Sequence, residues 1–233
     1  QSGALSAHSM EKSGSLRKGC LKPSQTFHHP LMSGYFENFS LLNSKRMFMT
    51  TLAIYSNKGG VGKTAAAVNL SYLAAQAGTK TLICDLDPQG SATYYYRVKP
   101  KLKFGTKGFF KGGKKLIKSI KGTDYKNLDL LPADFAHRNL DAAFDKLKRP
   151  TERLNNILKP LKNEYDVIFL DCPVTISLLA ENIFNTVDYT FVPLVPTTLS
   201  VLAHRQLLTF CKKNKFDAGR ICTFFSMLDR RKK

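Results

Sequence analysis

Thr51-Leu52-Ala53-Ile54-Tyr55-Ser56-Asn57-Lys58-Gly59-Gly60-Val61-Gly62-Lys63-Thr64 runs from an apolar strand through a glycine-rich turn into an alanine-rich helix. Three glycines let successive backbone N–H groups turn inward, and the following helix adds the positive end of its dipole, so the turn is built to cradle phosphate. Lys63 then meets the β- and γ-phosphates of a nucleotide and the Thr64 hydroxyl can ligate Mg²⁺. The ordinary phosphate-loop pattern, G-x-x-x-x-G-K-[ST], requires glycine at position 57, where this chain has Asn57. What it carries instead is K-G-G-x-G-K-[ST], with an additional lysine, Lys58, ahead of the glycines.

The flanks decide the fold class. Residues 65–77 read as a helix with Ala66, Leu70, Leu73 and Ala77 on one face and Gly78 as its stop. Residues 80–84 read as a buried strand running into Asp85-Leu86-Asp87-Pro88-Gln89-Gly90, whose two carboxylates stand at alternate positions on the phosphate side of the sheet. Tyr165-Asp166-Val167-Ile168-Phe169-Leu170-Asp171 reads as an apolar strand of the fully buried kind, ending in a carboxylate. With further strands expected at 128–131, 189–195 and 221–227, and helices at 136–148, 153–161, 176–185 and 199–213, the alternation predicts an α/β fold. Its sheet is mostly parallel, with helices on both faces.

Through Lys58 to Thr64, Asp85 to Gly90, Asp171-Cys172-Pro173 and Asn127-Leu128-Asp129-Leu130-Leu131-Pro132-Ala133, the chain from about Thr51 onward resembles the ParA/MinD family of deviant-Walker-A ATPases, ParA branch. The resemblance implies a Mg²⁺-dependent ATPase that dimerises around ATP, with Lys58 reaching the partner's nucleotide as a catalytic cation. Lys58, Gly59, Gly60, Val61, Gly62, Lys63, Thr64 and Ala65 would contact the nucleotide, and Asp87 would position the water. Thr64, Asp85 and Asp171 would serve the metal, and Asp229 the adenine. It also implies a cytoplasmic, nucleoid-associated protein that binds DNA without sequence preference and is stimulated by a ParB-like or other adaptor. A MinD-like membrane-associated regulator and a nucleotide-binding homologue without turnover are the alternatives.

The chain departs from the family at Ala65, where a second threonine is usual, and at Val174, where a second proline normally stiffens the loop after Asp171. Family members continue past the position of Lys233, so a short gene product or a fragment truncated at the C-terminus is expected. Residues 1–46 are rich in Ser, Gly, His and Lys without periodic pattern and read as a disordered leader or non-native extension to an ATPase domain over 47–233. Glu11, Glu37 and the scarcity of arginine argue against a targeting peptide.

The net charge is +19, from 36 Lys and Arg against 17 Asp and Glu, which biases the surface toward polyanions. Across 97–126 the bases Arg97, Lys99, Lys101, Lys103, Lys107, Lys111, Lys114, Lys115, Lys118, Lys121 and Lys126 face one acid, Asp124, with aromatics interleaved. A lysine-dominated patch suits phosphate-backbone contacts rather than base reading. A solvated flexible insertion is the competing reading. A short basic amphipathic helix built on Phe109, Phe110, Leu116, Ile117 and Ile120 and lying on anionic membrane is a third. No apolar stretch is long enough to span a bilayer. Cys20, Cys84, Cys172, Cys211 and Cys222 lack C-x-x-C spacing and read as reduced, mostly core residues.

Overall fold

The computed structural model describes residues 49–161, 163–229 and 231, with the side chains of 106 and 107 excepted; the leader expected over 1–46 lies outside the described residues. Among the described residues seven strands form one sheet: β1 (Thr50–Ile54), β2 (Thr81–Asp85), β3 (Lys121–Gly122), β4 (Leu128–Leu131), β5 (Val167–Asp171), β6 (Tyr189–Leu194) and β7 (Ile221–Phe225), in the order β3-β4-β2-β5-β1-β6-β7. Every pairing is parallel except the short β3–β4 ladder, which closes one edge antiparallel. Strands β2 and β5 are buried along their whole length, as expected of strands covered on both faces.

Among the described residues eight α-helices supply that cover: α1 (Lys63–Gln76), α2 (Ser91–Tyr95), α3 (Gly105–Lys111), α4 (Gly113–Ile117), α5 (Leu140–Asp145), α6 (Arg153–Leu158), α7 (Leu178–Thr186) and α8 (Thr198–Lys213). Ala53, Leu82, Cys84, Ile168, Leu170 and Val192 project to one face, where they join the apolar side chains of α3 to α8. Leu52, Ile54, Ile83 and Phe169 project to the other, under α1.

Three expectations change. The buried face of α1 is Ala67, Val68, Ser71, Ala74 and Ala75, with Leu70, whereas Leu73 is only half-buried and Ala77 exposed. Alanine at so many positions leaves little contrast for a 3.6-residue period to detect. Ser71 goes inward because its hydroxyl donates to Ala67 O at 2.7 Å and lies 3.0 Å from the Tyr96 hydroxyl. The helix expected over 136–148 is a 3₁₀ turn, Phe135–Asn139, followed by α5. Segment 97–126 is not a flexible insertion. It contains α3, α4 and β3 and buries Leu102, Phe109 and Leu116, with Phe110 and Ile120 partly buried against the core, so of the apolar side of the proposed membrane helix Ile117 alone is exposed. Among the described residues Cys84, Cys172 and Cys211 are buried and free, in keeping with mostly core thiols, and Cys222 is exposed on β7.

Candidate functional site

Strand β5 lies between β1 and β2, so the turns that follow all three strands meet at one end of the sheet. Ile54 and Asp85 each stand opposite Asp171 in the ladder, which brings the phosphate loop and both strand-terminal carboxylates together. Gly60 (φ +69°) and Gly62 (φ +87°) hold left-handed backbone that side chains disfavour. At Gly62 a Cβ would also stand 2.9 Å from Ser226 Oγ, so the turn after β7 walls the loop on that side. Val61 is buried, Lys63 is buried at the first position of α1, Thr64 is half-buried, and Gly59, Gly60 and Ala65 are exposed.

Burial lowers the Lys63 pKa despite the attraction of Asp171. Asp171, wholly buried, has its pKa pushed up to about 7, chiefly by burial and then by Asp85 opposite it. Neither Asp171 oxygen has a hydrogen-bond partner. Thr64 is near enough to draw the pKa partly back, though not in hydrogen-bonding geometry. An orphaned buried carboxylate beside a threonine hydroxyl and a phosphate loop fits a divalent cation, and Thr64 and Asp171 are the residues that would hold Mg²⁺. Among the described residues no group of three or more His, Cys, Asp or Glu could hold a metal ion. Mg²⁺ is commonly held by one or two carboxylates plus substrate phosphates.

Asp85 is placed beside this centre but differently used. Burial lifts its pKa to about 6, while Oδ2 accepts from Thr93 N at 2.8 Å and Thr93 Oγ1 at 2.7 Å, and Oδ1 accepts from Asp87 N at 3.2 Å. Its oxygens therefore anchor α2 and the Asp87 turn rather than stand free for a metal. Asp87 is half-buried, and its Oδ1 accepts from Gln89 N at 2.9 Å in a local turn.

Lys58 is held by its own chain: Nζ donates to Thr197 Oγ1 at 3.2 Å and to Ser200 Oγ at 3.3 Å, at the start of α8. Asp229, expected at the adenine, is gathered instead by Arg231, whose Nε and Nη2 reach its two oxygens at 3.0 and 3.2 Å. Thr93, Thr197, Ser200 and Ser226 are site residues the motifs did not reveal. A helix-capping pattern at Thr197, whose hydroxyl accepts from Ser200 N, was the one signal available for the pair at α8.

A family model for an AAA domain, AAA_31, matches residues 49–218. The chromosome-partitioning ATPase Soj of Treponema pallidum is 32% identical over 191 residues, spanning 78% of this chain and 73% of that protein. The virulence-plasmid ParA family protein pGP5-D of Chlamydia psittaci is 29% identical over 184 residues, 78% of this chain and 71% of that protein. The match to Bacillus subtilis Soj, 33% identical, spans 61% of this chain and 56% of that protein. Among solved structures, cobyrinic acid a,c-diamide synthase of Mycobacterium smegmatis with bound ATP analogue and magnesium superposes with a TM-score of 0.71 at 25% identity, over 78% of this chain and 77% of that one. A plasmid partition protein of Borrelia burgdorferi superposes with a TM-score of 0.62 at 26% identity, over 76% and 77%. One fold thus carries an amide-forming synthase and a partition protein, so fold alone does not choose between them. The family match and the Soj relative do choose: this chain belongs to the AAA domain family AAA_31 and, within it, to the ParA branch of the ParA/MinD P-loop ATPases.

Proposed function

We propose that this chain is a ParA-like ATPase that uses ATP-dependent dimerisation as a switch in DNA partitioning or cargo positioning, in the cytoplasm and on nucleoid DNA. The observation that carries the reading is the meeting of a two-lysine phosphate loop with Asp171, a buried carboxylate left without a hydrogen-bond partner. When bound, Mg²⁺ supplies neutralisation of the charge on the β- and γ-phosphates. The chain's own residues do the rest: the loop N–H groups and Lys63 bind the phosphates, and Asp87, held by Asp85 through its N–H, orients water. Lys58, once released from Thr197 and Ser200, reaches the nucleotide of a second copy. Asp229 then contacts the base only if it leaves Arg231.

The basic segment supports non-specific DNA binding. Lys99, Lys101, Lys103, Lys111, Lys114, Lys115, Lys118, Lys121 and Lys126 are all exposed on a framework anchored by buried Leu102, Phe109 and Leu116. A membrane reading through the same segment is disfavoured because of that burial, and among the described residues no helix is long and apolar enough to cross a membrane. An adaptor that stimulates turnover completes the reading. ATP turnover with and without non-specific DNA across a salt series tests it: stimulation that fades with rising salt is expected. Nucleotide binding without turnover would favour the non-cycling alternative, and a salt-independent response would remove the DNA role of the lysines.

A further inference from the structure

Tyr55 occupies the junction between β1 and the phosphate loop, and none of the motif readings uses it. It is fully buried; its N–H donates to Phe191 O at 3.0 Å, tying it to β6. Its ring meets Phe184 of α7 edge-on at 5.2 Å. Its hydroxyl donates to the main-chain oxygen of Thr175.

Thr175 lies in the segment that leaves Asp171 and leads to α7. On either side of it Val174 and Ile176 are each 48% exposed. The segment therefore has little apolar packing of its own at this point; its start is tied to β1 by Cys172 N–H donating to Ile54 O at 3.3 Å, and beyond it the other tie at Thr175 is local, Oγ1 to Ser177 Oγ at 2.7 Å. Tyr55 is buried, and a buried hydroxyl left unsatisfied costs more than an ordinary hydrogen bond contributes. The contact thus resists displacement of residue 175 relative to the phosphate loop. Burial also raises the phenol pKa well above its ordinary value, so the group remains a donor at physiological pH.

We propose that Tyr55 is a positioning residue that fixes the segment after Asp171 against the phosphate loop, doing with a hydrogen bond what a second proline at position 174 would do covalently. The inference rests on the nucleotide-site reading above, and the segment it restrains is the one next to the phosphate-facing carboxylate. Two neighbouring elements, the turn after β1 and the turn after β5, become one mechanical unit. A nucleotide that shifts either must keep the Tyr55–Thr175 contact or break it.

Tyr55→Phe keeps the ring and its contact with Phe184 and removes only the donor. Hydrogen–deuterium exchange of peptides covering 172–178 is expected to rise about three- to tenfold in this variant, with exchange in β1 and β6 unchanged. ADP affinity is expected to stay level, while affinity for a non-hydrolysable ATP analogue falls relative to ADP. Adding Val174→Pro to Tyr55→Phe is expected to restore both the protection and the affinity ratio. Unchanged exchange at 172–178, or no rescue by the proline, overturns the proposal. Should the wild-type chain bind no nucleotide, the nucleotide reading falls while the exchange measurement still decides whether Tyr55 restrains the segment.

Discussion

Lys58 and Ser200 stand 3.3 Å apart, Nζ to Oγ, across 142 positions of chain. The contact places a cation at the N-terminus of α8, the end whose dipole repels positive charge, so two hydroxyls hold the lysine where the helix field does not favour it. The proposed switch requires that this hold be exchanged for a phosphate of the second copy's nucleotide. Thr197 also caps α8 and cannot be altered cleanly, but Ser200→Ala removes one acceptor and leaves the cap in place. That variant is expected to dimerise at about two- to fivefold lower ATP concentration than wild type, as read by analytical ultracentrifugation. Lys58→Ala is expected to bind ATP yet remain monomeric. Dimerisation of Lys58→Ala at wild-type ATP levels would remove the cross-subunit role of this lysine.

The metal-free protein should lose stability as pH rises through the range in which its buried carboxylates ionise late. Unfolded, Asp85 and Asp171 release protons near the ordinary value of 3.8; folded, they hold them to about 6 and about 7. Between those limits the native state binds more protons, so stability falls with increasing pH and levels off above about 7. Asp171→Asn deletes the larger share: it should raise the stability of the metal-free chain at pH 8 by about 1–3 kcal/mol and change little near pH 3.5. Urea unfolding across this range checks it, and the difference between the two proteins isolates Asp171 from the opposing titration of buried His137, whose pKa burial lowers to about 4. Identical pH profiles would refute it.

Gly62→Ala meets two obstacles, a left-handed backbone at φ +87° and a contact of 2.9 Å with Ser226 Oγ. A loss of about 1–3 kcal/mol is expected from thermal unfolding. Adding Ser226→Ala should recover the part due to contact and leave the backbone part. No recovery would mean that the turn after β7 does not press on the phosphate loop.

Segment 97–126 should separate into two kinds of residue. Phe109→Ala is expected to cost about 3–5 kcal/mol because the ring is fully buried. Replacing exposed Lys114, Lys115 and Lys118 together by Gln should change stability by less than about 0.5 kcal/mol per site. The same triple change should flatten the salt dependence of DNA binding by about 0.9 log unit per phosphate contact removed. An unaltered slope would assign DNA to another surface.

Most of the fold was legible because strands buried on both faces announce themselves as apolar runs, and because phosphate binding demands glycine and lysine at fixed spacing. The turns after β1, β2 and β5 were therefore placed correctly around one centre. Less was legible where contrast was low or the partner was distant. The alanines of α1 concealed which face goes inward. Thr93, which takes both a backbone and a side-chain bond to Asp85 Oδ2, carries no motif at all. Lys58 was readable as a cation in search of phosphate, but its resting place on α8 depends on a fold that brings position 200 beside position 58. Charge counting found the lysines of 97–126 but could not tell a tether from a scaffold. That distinction lies with Leu102, Phe109 and Leu116.

Mounting those bases on a segment rooted in the core separates two kinds of inheritance. The buried anchors answer to folding and tolerate little change, whereas each lysine can be gained or lost singly at almost no structural cost. If these lysines hold a polyanion as proposed, a lineage carrying this arrangement can therefore tune that grip in small steps, without disturbing the buried anchors at any step along the way.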